Sequence, residues 1–209
     1  MFIANNLVVF FRYAEGNGTE ANFGYVTSLV FLSSTKLLAA DHFNHCLRLI
    51  DLINNPPSTT RFAGLCENAG FEQGHRLDRA RLKFPHYIDI DSSGSPVYFI
   101  DNSRLDLRKI NLTTDDVIAL RSFAELHTEL LYYNNMLYFI INYAKVSKID
   151  LEAPDDEIVI AGGDSTGNAT GSLAETRFYG VGDLIGWPGT QSEVLLVADE
   201  NNKRYPLSI

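Results

Sequence analysis

Apolar residues come in short runs along this chain, and helical spacing is almost absent. Runs rich in β-branched and aromatic residues cover 7–11, 28–32, 36–40, 47–50, 87–90, 97–100, 117–119, 130–133, 137–141, 146–149, 158–161 and 194–198, with Gly, Pro, Asn, Asp and Ser between them. Short strands with turn signals every ~8–12 residues predict an all-β sandwich, barrel or propeller. Internal repetition selects the propeller. Leu37-Leu38-Ala39-Ala40-Asp41 recurs as Val97-Tyr98-Phe99-Ile100-Asp101, Leu137-Tyr138-Phe139-Ile140-Ile141 and Leu195-Leu196-Val197-Ala198-Asp199. A second strand follows each at a constant offset, over 46–50, 106–110, 146–149 and 204–207, and Asn44 and Asn202 each sit three residues after their Asp. Strand, polar turn and strand recurring every ~40–60 residues is what propeller blades produce.

The longer repeats contain glycine-rich insertions. One runs from Arg61-Phe62-Ala63-Gly64 through Gly70, Gly74 and Ala80 to Phe84-Pro85; another runs from Ile160-Ala161-Gly162-Gly163 through Gly167 and Gly171 to Arg177-Phe178. A shorter copy occupies residues 10–24, ending in Phe23-Gly24. These segments lack the Lys-Ser/Thr of a phosphate-binding loop and read as connections over a blade edge.

Ala-Gly, spaced glycines, Ala-x-x-Phe-Pro, a strand ending in Ala-Asp and then an Ile-Arg-Lys-Ile-like strand together resemble the NHL repeat of six-bladed β-propellers, best over Ala63 to Ile110. The resemblance implies four-stranded antiparallel blades. The expected organisation of residues 1–209 is one propeller segment: 1–24 the outer strand and long loop of a preceding blade, 25–84 a first full repeat, 85–124 a second, 125–180 a third, and 181–209 a partial blade. The third repeat departs most, with Ile141 where Asp is expected and no Ala-Gly element before Leu126. Six blades at this spacing would need on the order of 300 residues, so the leading expectation is a segment of a larger propeller; the alternatives are a four-bladed closure or a partial propeller that pairs its open edges with another chain.

Composition narrows the function classes. The chain has 209 residues, 45% of them hydrophobic, and a net charge of −9. Acidity on this scale argues against nucleic acid, which needs clustered Lys and Arg, and no apolar stretch reaches the ~20 residues of a membrane span. An RNA-binding role, known among NHL proteins, is disfavoured on the same charge. Sequons begin at Asn17, Asn111 and Asn168. Cys46 and Cys66 are equidistant from Pro56, in a turn centred near Pro56-Pro57, so a simple hairpin sets them opposite each other within reach of a disulfide; two buried free thiols are the alternative. Sequons and cysteines together point to an extracellular or secretory-pathway setting.

Histidines carry the catalytic leads. His42 and His45 beside Asp41 could ligate a metal, yet a polar turn built on Asp41, Asp101 and Asp199 explains three repeats where the metal explains one. His86 and His127 each start an innermost strand, with Tyr87, Asp89 and Glu129 nearby. In NHL-like lyases, histidines from separate blades converge on a channel metal, so the resemblance makes these two the candidate ligands of a divalent ion. No nucleophile motif stands out. Asp115-Asp116 and Asp155-Asp156-Glu157 read as solvated hairpin tips, Arg48, Arg108 and Lys109 as exposed partners of neighbouring acids, and Tyr132, Tyr133, Tyr138, Phe139, Tyr143 and Trp187 as packing or interface anchors. The leading expectation is an interaction or structural assembly module that binds protein partners or itself; the runner-up is a lyase or hydrolase with a divalent metal in the channel.

Overall fold

A computed structural model describes residues 12–101, 105–172, 175–187 and 194–203. The apolar run at 7–11 and the strand expected at 204–207 lie outside them. The described chain forms four antiparallel sheets. The first holds β1 (Gly16–Asn17), β2 (Val26–Ser33), β3 (Lys36–Asp41), β4 (Cys46–Asp51) and β5 (Ser58–Ala63), in the order β1-β5-β4-β3-β2. The second repeats that order with β6 (Gly74–His75), β7 (Pro85–Ile90), β8 (Val97–Asp101), β9 (Asp106–Asn111) and β10 (Asp116–Ser122). The third is β11 (His127–Tyr133), β12 (Met136–Ile141), β13 (Lys145–Asp150) and β14 (Ala153–Gly162), and β15 (Val181–Gly186) with β16 (Leu195–Asp199) forms the fourth. Successive inner strands touch, β2 to β7, β7 to β11 and β11 to β15. The result is an arc of β-propeller blades. No helix among the described residues is long and apolar enough to cross a membrane.

Alternation puts one face of each sheet against the next. Leu38, Ala40 and Leu47 of the first sheet meet Ile88, Val97 and Phe99 of the second in one buried cluster, with Val30 and Leu32 packed on it. Tyr98, Ile100 and Leu107 join Leu130, Leu137 and Phe139, and Tyr138, Ile140 and Val146 join Leu184, Leu195 and Val197. Because strand side chains alternate, Leu29 and Phe31 fall on the face of the first sheet turned away from the second, and both are exposed.

The glycine-rich connections act as clasps. The segments before β2 and β7 each add a two-residue strand to the outer edge of their blade, β1 on β5 and β6 on β10. A buried arginine holds each clasp. Arg48 donates to the carbonyls of Ala14 and Asn22, and Arg108 to those of Glu72 and Arg81. Each is ion-paired with the Asp seven residues earlier, Arg48 to Asp41 at 3.0 Å and Arg108 to Asp101 at 3.1 Å. These arginines are therefore fully buried, where the sequence suggested exposed pairs. The carboxylates do not serve their own turns alone. Asp41 accepts the Gly24 N–H, Asp101 the Lys83 N–H and Asp199 the Tyr179 N–H, each two residues before an inner strand. Asn44 and Asn202 donate to the second oxygens of Asp41 and Asp199.

In the third sheet the connection before β11 is short and there is no clasp to hold. Ile141 stands in the Asp position, and Ser147, opposite Phe139 as Arg108 is opposite Phe99, stands in the Arg position. Both charges are lost together, as expected when a lone buried charge would cost several kcal/mol. Glu157, expected at a hairpin tip, instead lies inside β14 and accepts hydrogen bonds from His127 and Ser147. Asp115 does lie in a turn, where it pairs with Arg76 at 2.6 Å.

Candidate functional site

The starts of the inner strands and the β3–β4 and β12–β13 connections all lie at one end of the arc, because antiparallel neighbours bring the end of one strand beside the start of the next. Tyr25 and Phe84 immediately precede β2 and β7, Tyr179 lies two residues before β15, and Phe43 and Tyr143 sit in the two connections. This rim is therefore rich in aromatics. Tyr25 is 56% and Phe43 41% exposed; their rings lie 5.6 Å apart, centre to centre, over a layer made by His42 and Phe84. The loop carrying Phe43 is fastened from behind, since Cys46 is joined to Cys66 by a disulfide and Asn44 is locked to Asp41.

Every inner strand breaks register close to its start, at Thr27–Ser28, Tyr87, Glu129 and Gly182. Such bulges re-aim side chains along a strand. Ser28 Oγ accepts the Ile88 N–H of the next blade at 3.1 Å. Burial pushes the Tyr87 hydroxyl up to about 12, with the charges of Tyr143 and Glu129 adding to it. Burial likewise pushes the Glu129 carboxyl up to about 7, helped by the charges of Asp183 and Asp89. Farther along β7, Asp89 is raised by burial although it accepts the N–H groups of Tyr132 and Ile90. A file of acidic groups thus runs from blade to blade inside the arc.

The histidines are distributed differently from the lyase pattern. His127 is opposite Ile141, whereas its counterpart by that pairing in β7 is Pro85, opposite Asp101; His86 is opposite Ile100. The two histidines are thus one register position apart, and one position turns a side chain to the other face. His127 is 2% exposed and stacked on Phe123 at 3.6 Å. Its Nδ1 faces the Glu125 carbonyl at 2.9 Å and its Nε2 faces Glu157 at 2.6 Å, so neither nitrogen is open to a channel ion. Burial pushes the Glu157 carboxyl up, but the bonds from His127 and Ser147 outweigh it and hold it below the usual value.

His86 packs against His42 and Tyr87 at the rim. Its Nδ1 accepts the Tyr87 N–H at 3.2 Å, so the neutral ring carries its proton on Nε2. Metal binding through Nε2 would need the proton on Nδ1, directly facing that N–H. Burial lowers His86 to about 4 and also lowers His42 and His45. His42 Nδ1 lies 3.3 Å from the Pro85 carbonyl, and His45 Nδ1 accepts the Phe84 N–H. These are neutral rings that fasten the starts of inner strands. Among the described residues, no three His, Cys, Asp or Glu side chains form a group able to hold a metal ion.

Of the sequence-selected aromatics, Tyr138 and Phe139 are core, while Tyr143 and Trp187 are about half exposed. Trp187 follows β15 and so lies at the opposite end of the arc from Tyr143. Asn17 and Asn168 are exposed; Asn111 is half-buried and its side-chain oxygen accepts the Thr113 N–H. Tyr25, Phe43, Tyr179 and Asp183 are missed by motif reading. An aromatic just after the repeated Phe, Tyr25 after Phe23-Gly24 and Tyr179 after Phe178, was the signal that could have found two of these rim positions.

No family model matches the chain, and no curated protein matches it. Among solved structures, it is similar to an auxiliary nutrient binding protein from Bacteroides ovatus, with a TM-score of 0.64, 12% identity, and coverage of 87% of this chain and 44% of that one. It is also similar to an auxiliary nutrient binding protein from Bacteroides thetaiotaomicron, with a TM-score of 0.50, 12% identity, and coverage of 86% and 54%. The chain therefore spans about half the length of these structures. Identity at this level speaks for the propeller-like fold and for nothing finer.

Proposed function

We propose that this chain is the NHL-like portion of an extracellular binding module, and that it captures a protein partner on the aromatic rim of its first two blades. The observation that carries the reading is the Tyr25–Phe43 pair, exposed on a layer of His42 and Phe84 that is held rigid from below. Rigid, partly desolvated aromatics are the usual anchors of protein interfaces, since they bury large area at small entropic cost. The net charge of −9 favours a partner with a basic rim around its own apolar contact. Support for an oxidising compartment comes from the Cys46–Cys66 bond and the exposed sequons at Asn17 and Asn168. The paired Asp41–Arg48 and Asp101–Arg108, each securing a glycine-rich clasp, give the NHL-like sequence pattern a structural purpose.

The test compares wild type with a Tyr25→Ser/Phe43→Ser double variant, using proteins retained from secreted material and then titrated individually. Loss of two anchors is expected to weaken a true partner by more than about tenfold, with an unchanged unfolding midpoint. A partner bound equally well by the variant would place the interface elsewhere. A second reading, self-association, draws on exposed Leu29 and Phe31 of the first sheet. Sedimentation of wild type against Phe31→Lys decides it: a concentration-dependent dimer abolished by the lysine supports it, and identical monomers remove it.

A further inference from the structure

Between the third and fourth blades the rim opens into a cleft of about 580 Å³, within the ~300–1,000 Å³ span of small-molecule sites. Tyr143 and Tyr179, 50% and 52% exposed, line it together with Asn142, Thr166, Glu200 and Asn201. Tyr143 occupies φ 58° in the turn that joins β12 to β13, with Asn142 before it at φ 49°. That turn favours Asn or Gly at both positions, and a bulky ring there is unusual. The floor is Gly180, Val181 and Gly182. Gly182 is not in the left-handed region, so its backbone does not demand glycine; a Cβ there would lie 2.1 Å from Glu200 Oε1. The missing side chain makes room for the carboxylate beside the cleft floor. Gly180, at φ 82°, does the same for Asn201, whose Nδ2 would lie 2.3 Å from a Cβ.

The side chains of Asn142, Thr166, Glu200 and Asn201 have no hydrogen-bond partner among the described residues, and their polar atoms are available to a ligand. Amides and a hydroxyl both donate and accept, while a carboxylate only accepts. Among the described residues, no Lys, Arg or His lines the cleft, so a phosphate, sulfate or carboxylate ligand would meet the Glu200 carboxylate with no described cation beside it. Exposed ring faces match apolar C–H surface. A quaternary ammonium would suit the tyrosines and Glu200, but it would leave both amides and Thr166 without partners. We propose that this cleft binds a neutral saccharide, a pyranose face on the Tyr143 and Tyr179 rings and its hydroxyls on Asn142, Asn201 and Glu200.

The proposal involves neither Tyr25 nor Phe43, so its fate and that of the protein-binding surface are read separately. The experiment is saturation-transfer NMR of the full chain with glucose, galactose, mannose, N-acetylglucosamine, maltose and lactose at millimolar concentration, with tetramethylammonium as the counter-probe. Transfer to ring protons of at least one sugar is expected. Tyr179→Ala and Asn201→Ala should each weaken it about tenfold or more, while Tyr179→Phe, which keeps the ring, should retain it; near-UV circular dichroism and unfolding midpoints confirm that the variants fold. No transfer to any sugar, transfer to tetramethylammonium alone, or sugar binding unchanged in a folded Tyr179→Ala protein would each overturn the assignment.

Discussion

Replacing Glu129 by Gln should stabilise the protein in neutral and alkaline solution and leave it unchanged in acid. Glu129 sits on the bulge of β11 at φ 66°, mostly buried, and faces Asp183 from β15 and Asp89 and Tyr87 from β7. Its carboxylate accepts the Leu130 N–H at 3.3 Å. Burial and the neighbouring charges raise it from 4.5 to about 7. Between those values the folded protein keeps a proton that the unfolded chain has released, so this group's contribution to stability is full below about pH 4.5 and is lost as pH rises through about 7. Each pKa unit corresponds to 1.36 kcal/mol, which makes the loss on the order of 3 kcal/mol. Gln mimics the protonated acid. Urea unfolding at about pH 4 should therefore give matching stabilities, and at about pH 8 the variant should be more stable by roughly 3 kcal/mol with the same m-value. His86 works in the opposite sense. Its pKa is lowered from 6.5 to about 4 by burial, so the unfolded chain takes up its proton first and stability is lost as pH falls through that window. The two slopes oppose each other where they overlap, and Glu129→Gln should expose the rising limb that His86 supplies. An equal effect of the variant at both pH values, or destabilisation at about pH 8, would refute the electrostatic account of the bulge.

Asp41→Asn leaves the Arg48 guanidinium buried without its carboxylate, and should cost about 3–5 kcal/mol in urea unfolding. Ser147→Ala, at the arginine's place in the third blade where the ion pair is absent, should cost clearly less. Reducing the Cys46–Cys66 bond, which closes a separation of 20 residues, should lower stability by about 3 kcal/mol in the chain-entropy model, and a melting curve unmoved by reductant would contradict it. His127→Gln should remove one donor to Glu157 and raise that carboxyl's pKa; carboxyl NMR titration of Glu157 reads this directly, and an unchanged value would show that Ser147 and Arg121 suffice.

The blades are legible along the chain. Period-two alternation, turn residues and the recurring strand that ends in Asp41, Asp101 and Asp199 are local signals, and the sheets follow them closely. Even the odd third repeat was visible as Ile141 in place of Asp. Tertiary structure decided what those residues do. Arg48 and Arg108 look like surface charges in sequence and are buried, because the glycine-rich clasps that cover them come from 26–36 residues upstream. His86 and His127 look equivalent and are not, since one register position separates them and sends the two rings to different surroundings. The rim's Tyr25, Phe43, Tyr143 and Tyr179 belong to three blades, far apart in sequence. Alternation along a strand fixes which face a residue takes within its own sheet, but burial, pairing and clefts depend on which sheet comes next and how the bulges turn it, and that is set only when the blades pack.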